Sequence, residues 1–161
     1  MPKTTVEHPD LTTVGLFFEA HAGLARALER RLDRDCSLSV QWFEILLRLA
    51  RSPEGRLRMS DLATQTNVTA SGLTRAVDRL EEAGLVRRDA CPSDRRVAYA
   101  VLTPAGRKAI EAAVPVHLEH VREVVRGVLA DDEVEALAGL LRKLRDALNP
   151  GAAGGGGCPT T

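Results

Sequence analysis

The chain has 161 residues, which is enough for one compact domain or two small ones and excludes a large multidomain enzyme. Apolar residues make up 44% and charged residues 27%, close to the averages of soluble globular proteins, so global disorder is also excluded. The 22 basic and 22 acidic side chains cancel, yet residues 56–102 hold 8 basic and 6 acidic side chains while each flanking segment has a net charge of −1. This small asymmetry suggests where an anionic partner would bind.

The sequence does not support a membrane protein, a secreted protein or a metal-stabilised scaffold. No apolar run approaches the ~20 residues that span a bilayer, and the N-terminus has no signal-peptide pattern, so we expect a cytoplasmic protein without a membrane partner. The three cysteines, Cys36, Cys91 and Cys158, include no CxxC pair, which indicates neither a disulfide framework nor a zinc cage. We therefore expect free thiols, no metal and no cofactor.

The N-terminal third of the chain predicts two helices. Residues 1–10 are expected to form a flexible leader, and Asp10 can cap a first helix that extends to about residue 38. A second helix is predicted from about Ser39 to Arg51, and it is apolar on more than one side, as expected for a helix packed centrally. The apolar stripe of the first helix advances by three and four residues in turn, through Val14, Phe17, His21, Leu24 and Leu28.

The middle of the chain predicts a helix, a tight turn and a second helix. After a short alternating piece, Ser60 resembles an N-cap for a brief helix over 61–66, and Thr69 can cap the next helix, which Gly84 ends. Two alternating runs follow, 85–90 and 97–102, and the residues between them predict a hairpin with a basic tip. The inward positions of the second helix are Leu73, Val77 and Leu80.

Two further helices complete the predicted fold. Pro104 suits a first helical position, and Pro115 is expected to kink the long helix that follows. Asp131 or Asp132 can cap a last helix, and residues 150–161, with four consecutive glycines, are expected to be a disordered tail. The apolar stripe of the long helix is Ile110, Val114, His117, Val121, Val124 and Val128, and that of the last helix is Val134, Leu137, Leu141, Leu144 and Leu148.

A helix-turn-helix inserts its second helix into the major groove of DNA, so the outward face of that helix is the predicted reading surface. Helical periodicity places Ser71, Arg75 and Asp78 opposite the inward positions, with Thr74 and Arg79 beside them. Ser71, Thr74 and Arg75 are the base-reading candidates. Arg75 is favoured because a guanidinium can donate two hydrogen bonds to guanine.

Other polar side chains are predicted to support this surface. Arg95 and Arg96 at the hairpin tip suit a narrow minor groove, whose negative potential attracts guanidinium groups. Asp78 and Asp94 are expected to orient neighbouring arginines rather than to form a catalytic pair, because no nucleophile or metal ligand accompanies them. The hydroxyl of Thr69, at the start of the reading helix, completes the predicted DNA contacts.

Five segments of the chain follow one another in a recognisable order and spacing. They are Leu38–Trp42, Met59–Ala63, Ser71–Arg88, Asp94–Arg96 and Leu102–Gly106. With these segments, residues 39–112 resemble the MarR family of bacterial winged helix-turn-helix transcription regulators. The flanking helices match that family in length and position only, so about half of the chain carries specific motifs.

The resemblance implies a mainly α (α+β) fold, a winged helix-turn-helix with long N- and C-terminal dimerisation helices. Residues 11–149 would form a single domain, in which 39–103 are the winged lobe and 11–38 and 104–149 are the dimerisation helices. It also implies a homodimer that grips a pseudo-palindromic operator in double-stranded DNA, and repression that an aromatic acid, a metal or an oxidant relieves. The apolar stripes at both chain ends agree with this, because a second subunit would bury them.

The resemblance further implies an effector crevice between the dimerisation helices and the DNA-binding lobe. Phe17, His21, Trp42 and His117 are the residues expected there, where a phenolic or carboxylate effector would bind. The alternative, which we favour for the histidines, is that they are hydrogen-bonded residues of the dimer interface. A metal held by His117 and His120, three residues apart on one helix, is a further and weaker alternative.

Two other functions are alternatives to a ligand-responsive regulator. Cys36 or Cys91 could sense an oxidant, but the peroxide-sensing branch of the family has its reactive cysteine within the first helix, so inert thiols are expected here. A winged helix used only for protein contacts is the competing class, and the near-zero net charge supports it. No enzyme activity is expected, because a winged helix leaves no room for a catalytic domain in a chain of this length.

Overall fold

The computed structural model describes residues 6–66, 68–90 and 97–149. Within these ranges the chain is mainly helical with one small antiparallel sheet, as the sequence predicts. The α-helices are α1 (Pro9–Cys36), α2 (Val40–Arg51), α3 (Met59–Thr66), α4 (Ala70–Glu82), α5 (Pro104–Val121) and α6 (Asp131–Leu148). The strands are β1 (Arg56–Arg58), β2 (Val86–Ala90) and β3 (Ala98–Leu102).

Hydroxyl side chains cap three of these helices. Ser39, Thr69 and Thr103 precede α2, α4 and α5, and each hydroxyl accepts the backbone N–H of the residue three positions later, at 3.0–3.1 Å. These bonds satisfy N–H groups that have no partner within a helix. The predicted cap at Thr69 and the predicted helical start at Pro104 are confirmed.

The predicted starts of α1 and α3 are wrong. α1 begins at Pro9, inside the expected leader, and the ring Nδ1 of His8 rather than Asp10 occupies the cap position, where it accepts the N–H of Asp10 at 3.2 Å. Ser60 lies in the first turn of α3, and its hydroxyl donates to the carboxylate of Asp61. Both elements are therefore present, but each begins earlier along the chain than the cap pattern predicts.

The lobe formed by α2, α3 and α4 packs against one face of the sheet. The strand order is β1-β3-β2, and both pairings are antiparallel. The side chains of α4 and the sheet that join the buried core are Leu73, Ala76, Val77 and Leu80 of α4, Leu57 of β1, Val86 of β2 and Ala100 of β3. The outward face of α4 and the opposite face of the sheet are consequently left for contacts outside the core.

The turn after α4 is fixed against the start of α5. Gly84 has a φ of +70°, a conformation that glycine adopts without strain, and it ends α4 as predicted. Its carbonyl oxygen accepts a hydrogen bond from the hydroxyl of Thr103 at 2.7 Å. A side chain at Gly106 would collide with the carbonyl oxygen of Leu85, so the close approach requires glycine there. The base of the wing is thereby held to the base of α5.

The two C-terminal helices differ from expectation in two details. α5 continues as an α-helix through Pro115, and the departure from α-helical hydrogen bonding lies further on, in a π-helical segment at Arg122–Arg126. Asp131 and Asp132 lie in the first turn of α6 and do not cap it. Instead, the carboxylate of Glu133 accepts the N–H of Ala130 at 2.8 Å.

Helices α1 and α6 present apolar side chains that this single chain does not bury. None of the residues of α6 is buried, and the contact described at its C-terminal end is a hydrogen bond from the side-chain amide of Asn149 to the carbonyl oxygen of Thr64, at 3.3 Å. No helix among the described residues is long and apolar enough to cross a membrane. The exposed large apolar side chains are Leu11, Val14, Leu16, Phe17 and Phe18 of α1, and Leu137, Leu140, Leu141, Leu144 and Leu148 of α6.

Candidate nucleic-acid interface

The outward face of α4 brings together the polar residues that the sequence predicts for DNA contact. Thr69, Ser71, Thr74, Arg75 and Arg79 are all exposed. The hydroxyls of Thr69 and Ser71 are 3.4 Å apart, and that of Thr74 donates to a backbone carbonyl one turn earlier at 2.9 Å. Within the described part of the chain, neither Arg75 nor Arg79 forms an ion pair. Both guanidinium groups are therefore available to an anionic or hydrogen-bonding partner.

An arginine of the sheet connects this helix to the wing. Nη2 of Arg88 lies 2.6 Å from Oδ1 of Asp78 and donates to the carbonyl oxygen of Thr74 at 3.1 Å. The backbone N–H of Arg88 donates to Oε1 of Glu81 at 2.9 Å, and its Nε lies 4.0 Å from Oε2 of the same residue. Since Arg88 belongs to β2 and its partners all belong to α4, this network fixes the helix relative to the sheet.

The role of Arg88 is missed by the sequence reasoning, although the pattern contains a signal for it. Asp78 is expected to orient a neighbouring arginine, and in the structure the arginine paired with Asp78 is Arg88. Alternation along β2 puts Arg88 on the same inward face as Val86, where a charged side chain needs a partner. Because Arg88 neutralises Asp78 and lies beside Glu81, Arg75 and Arg79 dominate the charge of the outward face of α4.

The tip of the predicted hairpin lies outside the described residues. That segment contains Cys91, Asp94, Arg95 and Arg96. The predicted tail at 150–161, which contains Cys158, also lies outside the described residues. The roles assigned to these residues therefore stay predictions. The two strands that lead to the tip are described and pair from Val86 opposite Leu102 to Ala90 opposite Ala98. The two strands that would carry a wing are thus present, and the outer one, β2, contacts α4.

The predicted effector residues lie in two different environments. Phe17 and His21 are exposed on α1, where the ring of Phe17 packs edge-on against Phe18 with 5.9 Å between the ring centroids. Trp42 of α2 is half-buried and packs against the main core, and His117 of α5 is half-buried with its ring against α2. Of these four residues, His117 is the one with a described contact at the junction between the DNA-binding lobe and α5.

His117 has the most unusual electrostatic environment at this junction. Its ring lies against Phe43, with 4.3 Å between the ring centroids. The neighbour expected from the sequence is Trp42, the residue before Phe43. Burial, and to a smaller extent the charge of His120, lower the pKa of His117 below its ordinary value of 6.5, so the imidazole is neutral at pH 7. The Nδ1 atoms of His117 and His120 are both buried and have no hydrogen-bond partner among the described residues. A ligand that donates a hydrogen bond would satisfy such an atom.

The described residues give little support to metal binding or to oxidant sensing. Residues 6–66, 68–90 and 97–149 contain no group of three or more His, Cys, Asp or Glu side chains arranged to hold a metal ion. Cys36 is the last residue of α1 rather than part of a break between helices. Burial and then the charge of Asp35 raise the pKa of the Cys36 thiol, which lowers its thiolate fraction and its reactivity near neutral pH.

The fold and this surface together define a class of protein. The second helix of this helix-turn-helix has an exposed outward face with two arginines that form no ion pair with the described residues, and two antiparallel strands fixed to that helix follow it. This arrangement is a winged helix-turn-helix DNA-binding domain. The sequence pattern of the MarR family matches residues 37–97. The chain belongs to the MarR family and is a transcriptional regulator that binds DNA.

Similar solved structures extend the match over nearly the whole chain. Sco3205, a MarR family transcriptional regulator from Streptomyces coelicolor whose crystal structure contains DNA, is 34% identical, with 93% of this chain and 94% of that chain covered and a TM-score of 0.82. AbsC from the same organism is 33% identical, with 91% and 99% covered and a TM-score of 0.81. BpsR from Bordetella bronchiseptica, whose DNA binding is regulated by 6-hydroxynicotinic acid, is 25% identical, with 84% and 99% covered and a TM-score of 0.75.

The connection between α4 and the wing predicts unequal effects of two adjacent arginine substitutions. We expect Arg88→Gln to lower the free energy of unfolding by about 1–3 kcal/mol, because it leaves the Asp78 carboxylate and the Thr74 carbonyl without their donor. Arg87→Gln is the matched control, since Arg87 is exposed and its one ion pair among the described residues is with Asp89, and it is expected to cost less than about 1 kcal/mol. Urea denaturation followed by the fluorescence of Trp42 measures both values. Equal losses would contradict the anchoring role of Arg88.

Proposed function

We propose that this protein is a cytoplasmic repressor that binds a pseudo-palindromic operator in double-stranded DNA as a homodimer, and that a small effector releases it. The observation that carries the proposal is the outward face of α4, where Arg75 and Arg79 are exposed on a helix that Arg88 fixes to the wing. An arginine held in this way can donate two hydrogen bonds to a guanine in the major groove. The repressive direction of the regulation follows from the family resemblance.

The homodimer is supported by the apolar side chains that α1 and α6 leave exposed. Ten large apolar side chains lie exposed on these two helices, and stable monomers rarely present so extensive an apolar surface. Burying such area contributes about 25 cal/mol per Å², which favours association with a surface of the same character. A second copy offers that surface by two-fold symmetry, and the same symmetry sets two α4 helices at the spacing of successive major grooves, about 34–36 Å.

The effector proposal rests on the junction between α2 and α5. Nδ1 of His117 is buried and has no hydrogen-bond partner among the described residues, so it suits a ligand that donates a hydrogen bond from a hydroxyl or carboxylic acid group. BpsR, which is regulated by 6-hydroxynicotinic acid, offers a precedent for a ligand of that chemistry. Because α5 joins the lobe to the dimer interface, a ligand at this junction would favour a lobe separation that no longer matches the two half-sites.

Replacement of Arg75 tests sequence-specific DNA binding. We expect Arg75→Ala to weaken binding to the operator by about 1–3 kcal/mol and to change binding to random DNA much less, because a base contact is lost. Lys108→Ala is the matched control, since it removes the same charge from an exposed position on α5. Gel-shift titrations with the DNA that flanks the protein's own gene measure the affinities. Equal losses on both DNAs would count against base reading, and weak binding that is indifferent to Arg75 would favour a winged helix used for protein contacts.

Replacement of Leu141 tests the dimer. Leu141→Asp is expected to yield monomers at micromolar concentration, because a carboxylate would have to be buried among apolar side chains. Glu135→Lys, which lies about 120° around α6 from Leu141 by helical periodicity and outside its apolar stripe, is expected to leave the dimer intact. Size-exclusion chromatography with light scattering gives the molar mass. A monomeric wild-type protein, or identical masses for the two variants, would contradict the proposed interface.

Replacement of His117 tests the effector site. Millimolar 6-hydroxynicotinic acid is expected to weaken operator binding by wild-type protein at least about ten-fold, and nicotinic acid, which lacks the hydroxyl, is expected to do so less. His117→Phe keeps a ring against Phe43 but offers no hydrogen-bond acceptor, so we expect the ratio of Kd values with and without the acid to fall toward one. Fluorescence anisotropy with a labelled operator measures the ratio. A ratio unchanged by His117→Phe would place the effector elsewhere.

A further inference from the structure

A small cleft opens to solvent where the end of α2 turns into β1. We call it the corner cleft, and its volume is about 230 Å³. Its described lining comes from α2, the turn that follows, β1 and α3, and includes no residue of α4 or α5. Arg51 lies roughly 12 Å along the axis of α2 from Phe43, so the cleft is separate from the effector junction. The described lining residues are Arg48, Arg51, Ser52, Pro53, Leu57 and Gln65.

Three side chains that can donate hydrogen bonds line the corner cleft without a partner. Arg48 and Arg51 lie three positions apart on one face of α2, and Gln65 belongs to α3. Over residues 6–66, 68–90 and 97–149, the side chains of these three residues form no hydrogen bond or ion pair. Arg48 is half-buried. A guanidinium that has lost part of its hydration and has no acceptor is stabilised by an anion that enters the cleft.

The corner cleft has an excess of positive charge. Glu44 and Glu54 are the acidic residues nearest to Arg48 and Arg51 along the chain, and in the described structure neither pairs with these arginines. The C-terminal end of a helix carries about half an elementary negative charge, which stabilises a cation placed there. Two guanidinium groups exceed that charge, so the helix dipole does not account for both of them. The remaining positive charge attracts an anion.

Backbone and side-chain bonds hold the wall of the corner cleft in place. The hydroxyl of Ser52 donates to the carbonyl oxygen of Leu49 at 2.7 Å, and the N–H of Gly55 donates to the carbonyl oxygen of Ser52 at 3.1 Å. Between them, Glu54 has a φ of +57°, a conformation that a residue with a side chain keeps only where its surroundings enforce it. The cleft is therefore formed before a ligand arrives, which lowers the entropic cost of binding.

The donors and the size of the corner cleft favour a small molecule that carries a phosphate group. Guanidinium groups match the oxygens of phosphate through paired hydrogen bonds, and the amide of Gln65 adds another donor. A phosphate monoester carries about 1.5–2 negative charges at pH 7, which balances two arginines, whereas one carboxylate balances only one. Pockets for drug-sized ligands measure roughly 300–1,000 Å³. The corner cleft is smaller, so it suits a small ligand.

We propose that the corner cleft binds the phosphate group of a small metabolite, with Arg48 and Arg51 of α2 and Gln65 of α3 as the hydrogen-bond donors. A phosphate held by residues of both helices connects α2 to α3 and stabilises the lobe against unfolding. The proposal does not rest on the operator or on the effector of the proposed function, because the lining includes none of the residues assigned to them.

Titration of the wild-type protein with inorganic phosphate tests the site. Phosphorus NMR at neutral pH and constant ionic strength, with chloride as the replaced anion, is expected to show saturable binding with a Kd on the order of 1 mM or lower. The midpoint of thermal unfolding is expected to rise with phosphate concentration as linkage requires. Acetate is expected to raise the midpoint much less because it carries a single charge. Equal effects of acetate and phosphate would contradict the phosphate class.

Matched variants assign the binding to the corner cleft. Arg48→Gln and Arg51→Gln each remove a guanidinium, and each is expected to raise the Kd for phosphate at least about ten-fold. Arg30→Gln removes the same charge from an exposed position on α1, and it is expected to bind like wild type. Arg48→Lys keeps the charge but loses the paired donors, so an intermediate Kd is expected. Since Arg51 is exposed, Arg51→Gln is expected to unfold at the wild-type midpoint when phosphate is absent.

A second experiment distinguishes a free phosphate from a phosphate of the DNA backbone. The double variant Arg48→Gln, Arg51→Gln is compared with wild type on the operator and on random DNA, in buffer without phosphate. We expect equal affinities and equal salt dependence. A salt slope reduced by about 0.9 for each lost contact would assign these arginines to DNA and overturn the proposal.

Two results of the titration would also overturn the proposal. One is the absence of saturable phosphate binding by wild-type protein, and the other is a Kd that is the same in wild type, Arg48→Gln and Arg51→Gln. If wild-type protein binds no operator, the proposed function fails, whereas the phosphate titration still decides the corner cleft.

Discussion

The bonds of Arg88 to α4 are the constraint on which the rest of the DNA-binding surface depends. Burial of Leu73, Val77 and Leu80 turns the opposite face of α4 outward, but apolar contacts are non-directional and leave room for small rotations of the helix. Arg88 supplies direction, since it reaches Asp78, Thr74 and Glu81 on two successive turns of the helix. These bonds restrict the remaining rotation, with Arg75 turned outward, and they fix β2 relative to α4.

The main core is centred on the lobe and is extended by Leu32 of α1 and by Ile110 and Ala113 of α5, whereas α6 adds no buried residue to it. In the lobe, α2, α3, α4 and the sheet bury their apolar side chains against one another, and the contact between Gly106 and Leu85 secures the sheet to α5. Along α6, by contrast, no residue is buried by the single chain. The extensions thus leave an apolar surface uncovered, and the junction at Phe43 and His117 lies where the lobe packs against α5.

Local patterns in the sequence predict most of the elements, because helix and strand periodicity reflect which side chains must be buried. The spacing of Leu73, Val77 and Leu80 and the need for glycine at position 84 are examples of such patterns. Predictions of helix starts fail where the capping acceptor is an unusual side chain, as with the imidazole nitrogen of His8 at the start of α1. They also fail where strand register decides, because nothing in a linear sequence shows that Arg56 lies over Tyr99 or that Arg88 meets Asp78.

The balance of charges bears on how the regulator finds its target among the other sequences of a chromosome. Unspecific attraction to DNA grows with the number of cations that reach phosphates, and competing sites in a genome number roughly a million to a billion. Here Arg31, Arg87 and Arg88 are each occupied by a carboxylate of the same chain. Each of these ion pairs removes one cation that would otherwise attract phosphate, which weakens binding to DNA of unrelated sequence.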